Sequence, residues 1–273
     1  MSKTIRKTFK RAVALISDLH AGSVAAPWPD LVQTTTGQIL LPSDEQRYLS
    51  ARLEEFKEVT DEFECDAVWL FGDLIDGNNR KACGTHRVTP DLDLQAKAAI
   101  KLLEPVCKGR TVLGIIGSGY HDSVDTFIDQ RIIEALGGTC YGLLGNLPLK
   151  GTNRIIQITH GEGAAVTARE TTIAREGALL FQAEGKHNLP FHVDARIAGH
   201  WHWFCHVHNS RQHLVQLPAW TDWAPWRGGV RSYGAALPDI GGVIMLVDQA
   251  DRMNFLPFLY PRPGISDRLH EQS

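Results

Sequence analysis

Residues 12–20, Ala12-Val13-Ala14-Leu15-Ile16-Ser17-Asp18-Leu19-His20, run from five apolar side chains straight into an acid and an imidazole. A short, continuous apolar run bounded by polar residues reads as a strand buried on both faces, the kind found in parallel sheets covered by helices. In open α/β sheets ligands bind beyond the carboxyl ends of such strands, which is where Asp18 and His20 fall. The pattern recurs along the chain. Ala67–Phe71 leads to Gly72-Asp73, Thr111–Ile116 to His121-Asp122, Ile155–Thr159 to His160-Gly161, and Ala195–Ala198 to Gly199-His200-Trp201-His202.

Together these residues offer the oxygen and nitrogen ligands that a pair of divalent ions needs, which points to a hydrolase. Positions i and i+2 of an extended segment face the same way. On that ground Asp18 and His20 are expected to reach one ion together. His200 and His202 share a face, and each can serve one of two ions about 3.5–4 Å apart. Asp73 stands between apolar neighbours, and its two carboxylate oxygens can bridge two cations.

The intervening segments alternate in type. Leu31–Leu41 reads as a loop or small hairpin. Ser43 is a helix N-cap with Gln46 at the reciprocal capping-box position, and apolar residues follow at helical spacing to about Glu62. Further helices are expected at Leu92–Val106, with Pro105 near its end, at Val124–Leu136 before Gly137-Gly138, and at Ala164–Phe181. The last third reads as strands: Trp203–His208, His213–Leu217, Gly242–Val247 and Met253–Leu259. This order suggests two sheets with helices outside them, in one domain spanning residues 1–273.

In this order and spacing the motifs resemble the calcineurin-like metallophosphoesterases, whose pattern is D-x-H, G-D-x-x-D, G-N-H-[DE], a His often followed by Gly, and G-H-x-H. Here the blocks read Asp18-Leu19-His20, Gly72-Asp73-Leu74-Ile75-Asp76, a variant third block, His160-Gly161, and Gly199-His200-Trp201-His202. The resemblance implies a four-layer αββα sandwich of two mixed β-sheets flanked by helices. It implies one metal on Asp18, His20, Asp73 and His202, and a second on Asp73, His160 and His200. It implies that a water between the ions attacks phosphorus in line, that His121 is the catalytic imidazole, and that Asp122 orients it. The third block departs from the family. Gly117-Ser118-Gly119-Tyr120-His121 lacks the Asn that ligates the second metal. Either Tyr120 takes its place, or the loop is two residues longer and Ser118 does, and the second metal is expected to bind more weakly.

Composition excludes several classes. The 273 residues are 43% apolar and 22% charged, ordinary for a globular chain, and the net charge of -3 offers no global field for nucleic acid. The basic stretch Lys3, Arg6, Lys7, Lys10, Arg11 reads as a solubilising tail, not a signal peptide. No segment has transmembrane length, so no membrane is expected. Five scattered cysteines without a C-x-x-C argue for a reducing, cytoplasmic setting.

Mixed His and carboxylate ligands suit manganese first, with zinc, iron, nickel or cobalt as alternatives. Trp220, Trp223, Trp226, Arg227 and Arg231, in the Trp/Pro/Gly-rich segment 218–240, can stack bases and contact phosphates, although a loop pinned by buried indoles, or an oligomer contact, is the favoured reading. The expected activity is hydrolysis of a phosphate ester, with phosphodiester or nucleic acid favoured over a phosphomonoester or phosphoprotein. The rival from another class is a non-catalytic binding protein that kept the fold. Asp76 reads equally as a turn cap and as a brace for the site. His206 and His208 read as an exposed strand face, and His86, His187, His192, His213 and His270 have no matching context.

Overall fold

Strand β1 (Phe9–Ile16) explains the layering. The computed structural model describes residues 9–78, 86–121, 127–161, 169–187, 192–222 and 237–262. On β1, Ala12, Ala14 and Ile16 face one way and Val13 and Leu15 the other, as the two-residue period of a strand requires. The first set packs with Leu49, Leu53 and Phe56 of α1 (Asp44–Glu62), Leu94, Ala98 and Leu103 of α2 (Leu92–Cys107), and Ile132 and Ile133 of α3 (Ile128–Ala135). The second set packs with a second sheet, through Ile156, Ile158, Ile197 and Val215. Beyond that sheet, Ala198 and Leu214 meet Ile173 of α4 (Arg169–His187). The layers are therefore α, β, β, α. Each fully buried aliphatic side chain contributes about 1.5–3 kcal/mol relative to exposure.

The remaining strands are β2 (Val32–Gln33), β3 (Ile39–Leu40), β4 (Ala67–Leu70), β5 (Thr111–Gly114), β6 (Thr139–Cys140), β7 (Leu144–Pro148), β8 (Ile155–Thr159), β9 (Ala195–Ala198), β10 (Cys205–His208), β11 (His213–Gln216), β12 (Ile240–Asp248) and β13 (Met253–Tyr260). The first sheet has the order β13-β12-β1-β4-β5-β6, the second β10-β11-β9-β8-β7, and β2-β3 form the small hairpin. β1, β4, β5 and β6 are parallel, as are β8, β9 and β11. Their carboxyl ends gather at one edge of the sandwich. Ser43 and Gln46 form the capping box of α1, and the Gln46 side chain also donates to the Ser23 carbonyl, tying the helix start to the loop that follows β1.

Some expectations change. The basic tail is shorter than expected: Lys10 and Arg11 lie in β1, 2.9 Å from Asp251 and 2.6 Å from Asp66. Of the helix expected at Ala164–Phe181, residues 164–168 lie outside the described residues, and α4 runs past Phe181 to His187. β7 was not anticipated, because Gly145, Asn146 and Pro148 read as turn residues. Its alternating burial and pairing with β8 make it an edge strand, where Pro is tolerated. β12 and β13, expected only as strands, lie in the first sheet beside β1. Cys65 and Cys107 are buried free thiols. Among the described residues no helix is long and apolar enough to cross a membrane.

Candidate metal centre

The candidate ligands all follow the carboxyl ends of parallel strands: Asp18 and His20 after β1, Asp73 after β4, His160 after β8, and His200 and His202 after β9. Their ligand atoms form two compact sets, Asp18–His20–His202 and Asp73–His160–His200, and a third set, His20–Asp73–His121, joins them. His202 Nε2 lies 3.1 Å from Asp18 Oδ1 and 3.2 Å from His20 Nε2, and His20 Nε2 is 3.7 Å from Asp18 Oδ1. In the second set His160 Nε2 is 2.9 Å from Asp73 Oδ2. Metal–ligand bonds of about 2.0–2.2 Å place neighbouring ligand atoms about 2.8–3.6 Å apart, from right-angled to tetrahedral arrangements, and these spacings lie at or close to that range.

The backbone pays a conformational cost at the same positions. Asp18 (φ 52°), His20 (49°), Asp73 (49°), His200 (79°) and His202 (63°) all adopt left-handed conformations. Each costs on the order of 1–3 kcal/mol for a non-glycine residue and persists only where the surroundings enforce it. This corrects the extended-segment argument. Asp18 and His20 do converge, but through two left-handed residues held by hydrogen bonds from Asp18 N to Gly72 O (3.1 Å) and from His20 N to Asp73 O (3.0 Å).

Polar partners orient the ligands. Asp18 Oδ2 accepts from the Ser17 hydroxyl and from His200 N, while the buried Asp18 Oδ1 makes no aligned hydrogen bond and faces the Nε2 atoms of His202 (3.1 Å), His20 (3.7 Å) and His160 (3.9 Å). Such an oxygen is costly unless a cation or a proton completes it. His160 Nδ1 lies 2.6 Å from the Phe71 carbonyl, which fixes the tautomer and leaves Nε2 facing Asp73. Burial and the nearby His121 push His20 down to about 3, so its imidazole is neutral. Burial also lowers His160, but Asp73 and Asp18 outweigh it and raise that group to about 10. Asp18 and Asp73 are both held below the usual carboxylate range: burial opposes this, His202 and His160 dominate at Asp18, and His160 and His121 at Asp73.

In the variant third block it is Ser118 that lies against Asp73. Ser118 N donates to Asp73 Oδ1 (2.7 Å) and Ser118 Oγ to Asp73 Oδ2 (3.1 Å), whereas Tyr120 is 47% exposed. Gly117 makes this approach feasible, since a Cβ there would overlap the Asp73 amide and carboxylate. His121 follows, with its ring 4.4 Å from that of His20 and Nδ1 2.9 Å from the Asp76 carbonyl. The buried Asp76 carboxylate lies 3.6 Å from His121 Nδ1 and 3.8 Å from His20 Nδ1, so Asp76 braces the site. Asp122 lies outside the described residues.

Two contributors escaped the sequence reading. Asp129, the second residue of α3, is fully buried and accepts from Asp73 N (2.9 Å), Leu74 N (3.0 Å) and Gly117 N (2.9 Å). It thereby clamps the loops after β4 and β5. Gln95, buried on α2, accepts from Gly77 N and donates to the Thr89 carbonyl, holding the turn that carries Asp76. Neither residue stands in a motif; only an acid or amide on an otherwise apolar helix face marks them. Trp220, by contrast, is fully buried against Phe56 and Tyr260, as the loop-anchor reading expects, and Trp223, Trp226, Arg227 and Arg231 lie outside the described residues.

No family model and no curated protein matches the chain. Among solved structures it is similar to an archaeal phosphodiesterase (12% identity, 90% of this chain and 99% of that chain, TM-score 0.45). A dimetal phosphatase from Danio rerio is similar at 13% identity (93% and 99%, TM-score 0.48), and wild-type Vps29 from Entamoeba histolytica complexed with zinc at 12% (92% and 99%, TM-score 0.41).

Proposed function

We propose that this protein is a metal-dependent phosphoester hydrolase of the calcineurin-like kind, acting on phosphodiesters. The observation that carries the reading is the buried Asp18 Oδ1 on which three imidazole nitrogens converge without an aligned hydrogen bond, beside a second set built on Asp73. Asp18, His20 and His202 would hold one divalent ion and His160 and His200 the other, with Asp73 between them. Bound there, the ions would lower the pKa of water and polarise a phosphoryl group. His121 presents its ring at the edge of both sets. With Nδ1 fixed by the Asp76 carbonyl, its other nitrogen is the one able to donate to a phosphoryl or leaving oxygen. Asp122, next in sequence, is proposed as a second orienting group for that imidazole.

The purified chain with manganese should hydrolyse a chromogenic phosphodiester. A panel adding phosphomonoesters, a phosphopeptide, and single- and double-stranded DNA and RNA assigns the substrate. Absence of turnover on the whole panel with manganese, zinc, cobalt, nickel or iron would favour the non-catalytic binding protein.

Ser118 leads to a second expectation. Its hydroxyl is a weaker ligand than an amide oxygen, and it already donates to Asp73. Calorimetric titration with manganese should resolve two unequal sites, and Ser118→Asn should tighten the weaker one severalfold. Two equally tight sites in the unaltered chain would contradict this.

Affinity at the second site should also rise with pH. Only neutral imidazole ligates. In apo-protein the His160 group, raised to about 10 by Asp73 and Asp18, carries a proton at neutral pH that a metal must displace. Affinity should increase about tenfold per pH unit while that proton is present, with one proton released per ion. Calorimetry between pH 6.5 and 8.5 in buffers of different ionisation enthalpy measures this, and a pH-independent affinity would contradict it.

A further inference from the structure

Another group of imidazoles lies at the opposite end of the sandwich. β11 runs parallel to β9, and His213 pairs with Ala195 at the start of β9. His213 is therefore at the amino end of strands whose carboxyl ends lead to the metal centre. β10 lies antiparallel beside it, with His208 opposite His213 and His206 opposite Val215. Alternation puts His206, His208, His213 and Val215 on one face of this hairpin. Val215 belongs to the core between the sheets, while Leu214 and Val207 pack in the layer beneath α4. The three histidines thus face the sister sheet, where neighbouring strands carry apolar side chains. Phe255 of β13 packs 5.1 Å from His206 and 5.5 Å from His213. Beside them is a cavity of about 410 Å³, also bounded by Arg154, Asp194, Met253 and Asn254.

Two of the rings already meet through their nitrogens, and the third stacks beside them. His206 Nε2 lies 3.0 Å from His213 Nδ1, the separation of neighbouring donors around an ion bound at about 2.0–2.1 Å. The His208 ring stacks on His213 at 3.9 Å and 5°. His208 is exposed, so its ring can turn a nitrogen toward the pair without displacing a core side chain. Burial and His208 push His206 below its usual range, and burial with His208, His206 and Arg154 takes His213 down to about 4, so both are in the ligating, neutral form. Of the three arginines bordering the cavity, Arg154 lies 2.6 Å from Asp194 and Arg252 2.7 Å from Asp248.

We propose that His206, His208 and His213 form a separate site for a divalent transition metal ion of zinc-like softness, remote from the hydrolytic centre. Zinc itself is the probe. The full chain is equilibrated with zinc and desalted, and metal per chain is measured by elemental mass spectrometry. The double variant His206→Ala/His213→Ala should carry one zinc fewer than the unaltered chain, with diester hydrolysis unchanged. An equal zinc content in the two overturns the proposal. Loss of both rings can loosen the hairpin, so a milder comparison runs beside it. Cobalt absorption in the Asp73→Asn chain should diminish when His213→Gln is added, and an unchanged spectrum overturns the proposal. A chain that hydrolyses nothing yet binds this ion would count against the hydrolase reading alone.

Discussion

Asp73→Asn should lower turnover of a phosphodiester by about 10³-fold or more, with the fold intact. Asp73 is the one side chain shared by the His160–His200 set and the set containing His20 and His121. Asparagine keeps its shape but not its charge, and it has one oxygen where the carboxylate has two. A single neutral oxygen cannot bridge two cations, and several kcal/mol of charge stabilisation disappear, with each 1.36 kcal/mol worth about a factor of ten. The fold should survive for reasons visible at the same residue. Its backbone sits at φ 49°, a conformation asparagine tolerates well, and its amide remains held by Asp129. The neighbour responds in a defined direction: His160, raised to about 10 chiefly by Asp73, should titrate at a lower pH in the variant. Turnover on a chromogenic diester, metal content and thermal unfolding should be measured together. Full activity of a folded Asp73→Asn chain would remove the mechanism, whereas loss of activity with loss of folding would assign Asp73 a structural role.

Much of this site was legible because buried parallel strands leave a simple trace. Five apolar residues ending in Ser17-Asp18 specify both a strand and the edge at which it ends, and the same trace recurs at β4, β8 and β9. Regular spacing was less informative about the loops. The i, i+2 rule brought Asp18 to His20 for a reason the backbone does not follow, since the convergence depends on left-handed residues and on hydrogen bonds to Gly72 and Asp73. Such conformations are set by tertiary packing, which a local pattern does not contain. That Ser118 lies against Asp73 likewise depends on how closely the loop after β5 passes that residue, a distance governed by Gly117. β7 was hidden because an edge strand tolerates the turn-forming residues that a central strand excludes. The basic character of Lys10 and Arg11 was plain, but their partners Asp251 and Asp66 come from elsewhere in the chain.

Asp129 is where the contribution of tertiary structure is largest, and Asp129→Ala should be the most damaging substitution outside the ligands. The carboxylate accepts from three backbone amides, two of them on the loop that carries Asp73 and one on the loop that carries Ser118. Alanine would leave those buried N–H groups without their acceptor. One such loss costs about 1–3 kcal/mol, and more where the acceptor was charged. A total of about 3–5 kcal/mol is expected, since part of the loss can be relieved by relaxation or water. In a chain of this size that corresponds to a fall in Tm of about 6–20 °C. The left-handed turn at Asp73 would lose one of the hydrogen bonds that enforce it, so the metal sets should loosen as well, with affinity falling about 10–100-fold, as for other residues that orient ligands. Asp129→Asn separates the two effects. Its oxygen can still accept from Asp73 N and Gly117 N, while its NH2 would face the Leu74 amide, donor against donor, so that this amide alone goes unpaired. Stability should then fall by about 1–3 kcal/mol, with the weaker metal site affected more than the tighter one. Thermal unfolding with and without manganese, beside calorimetric titration, distinguishes a clamp from a mere core residue. If Asp129 only fills space, Asp129→Asn, nearly identical in volume, will bind metal like the unaltered chain; if it sets the ligand geometry, affinity will drop while the apo-protein stays folded.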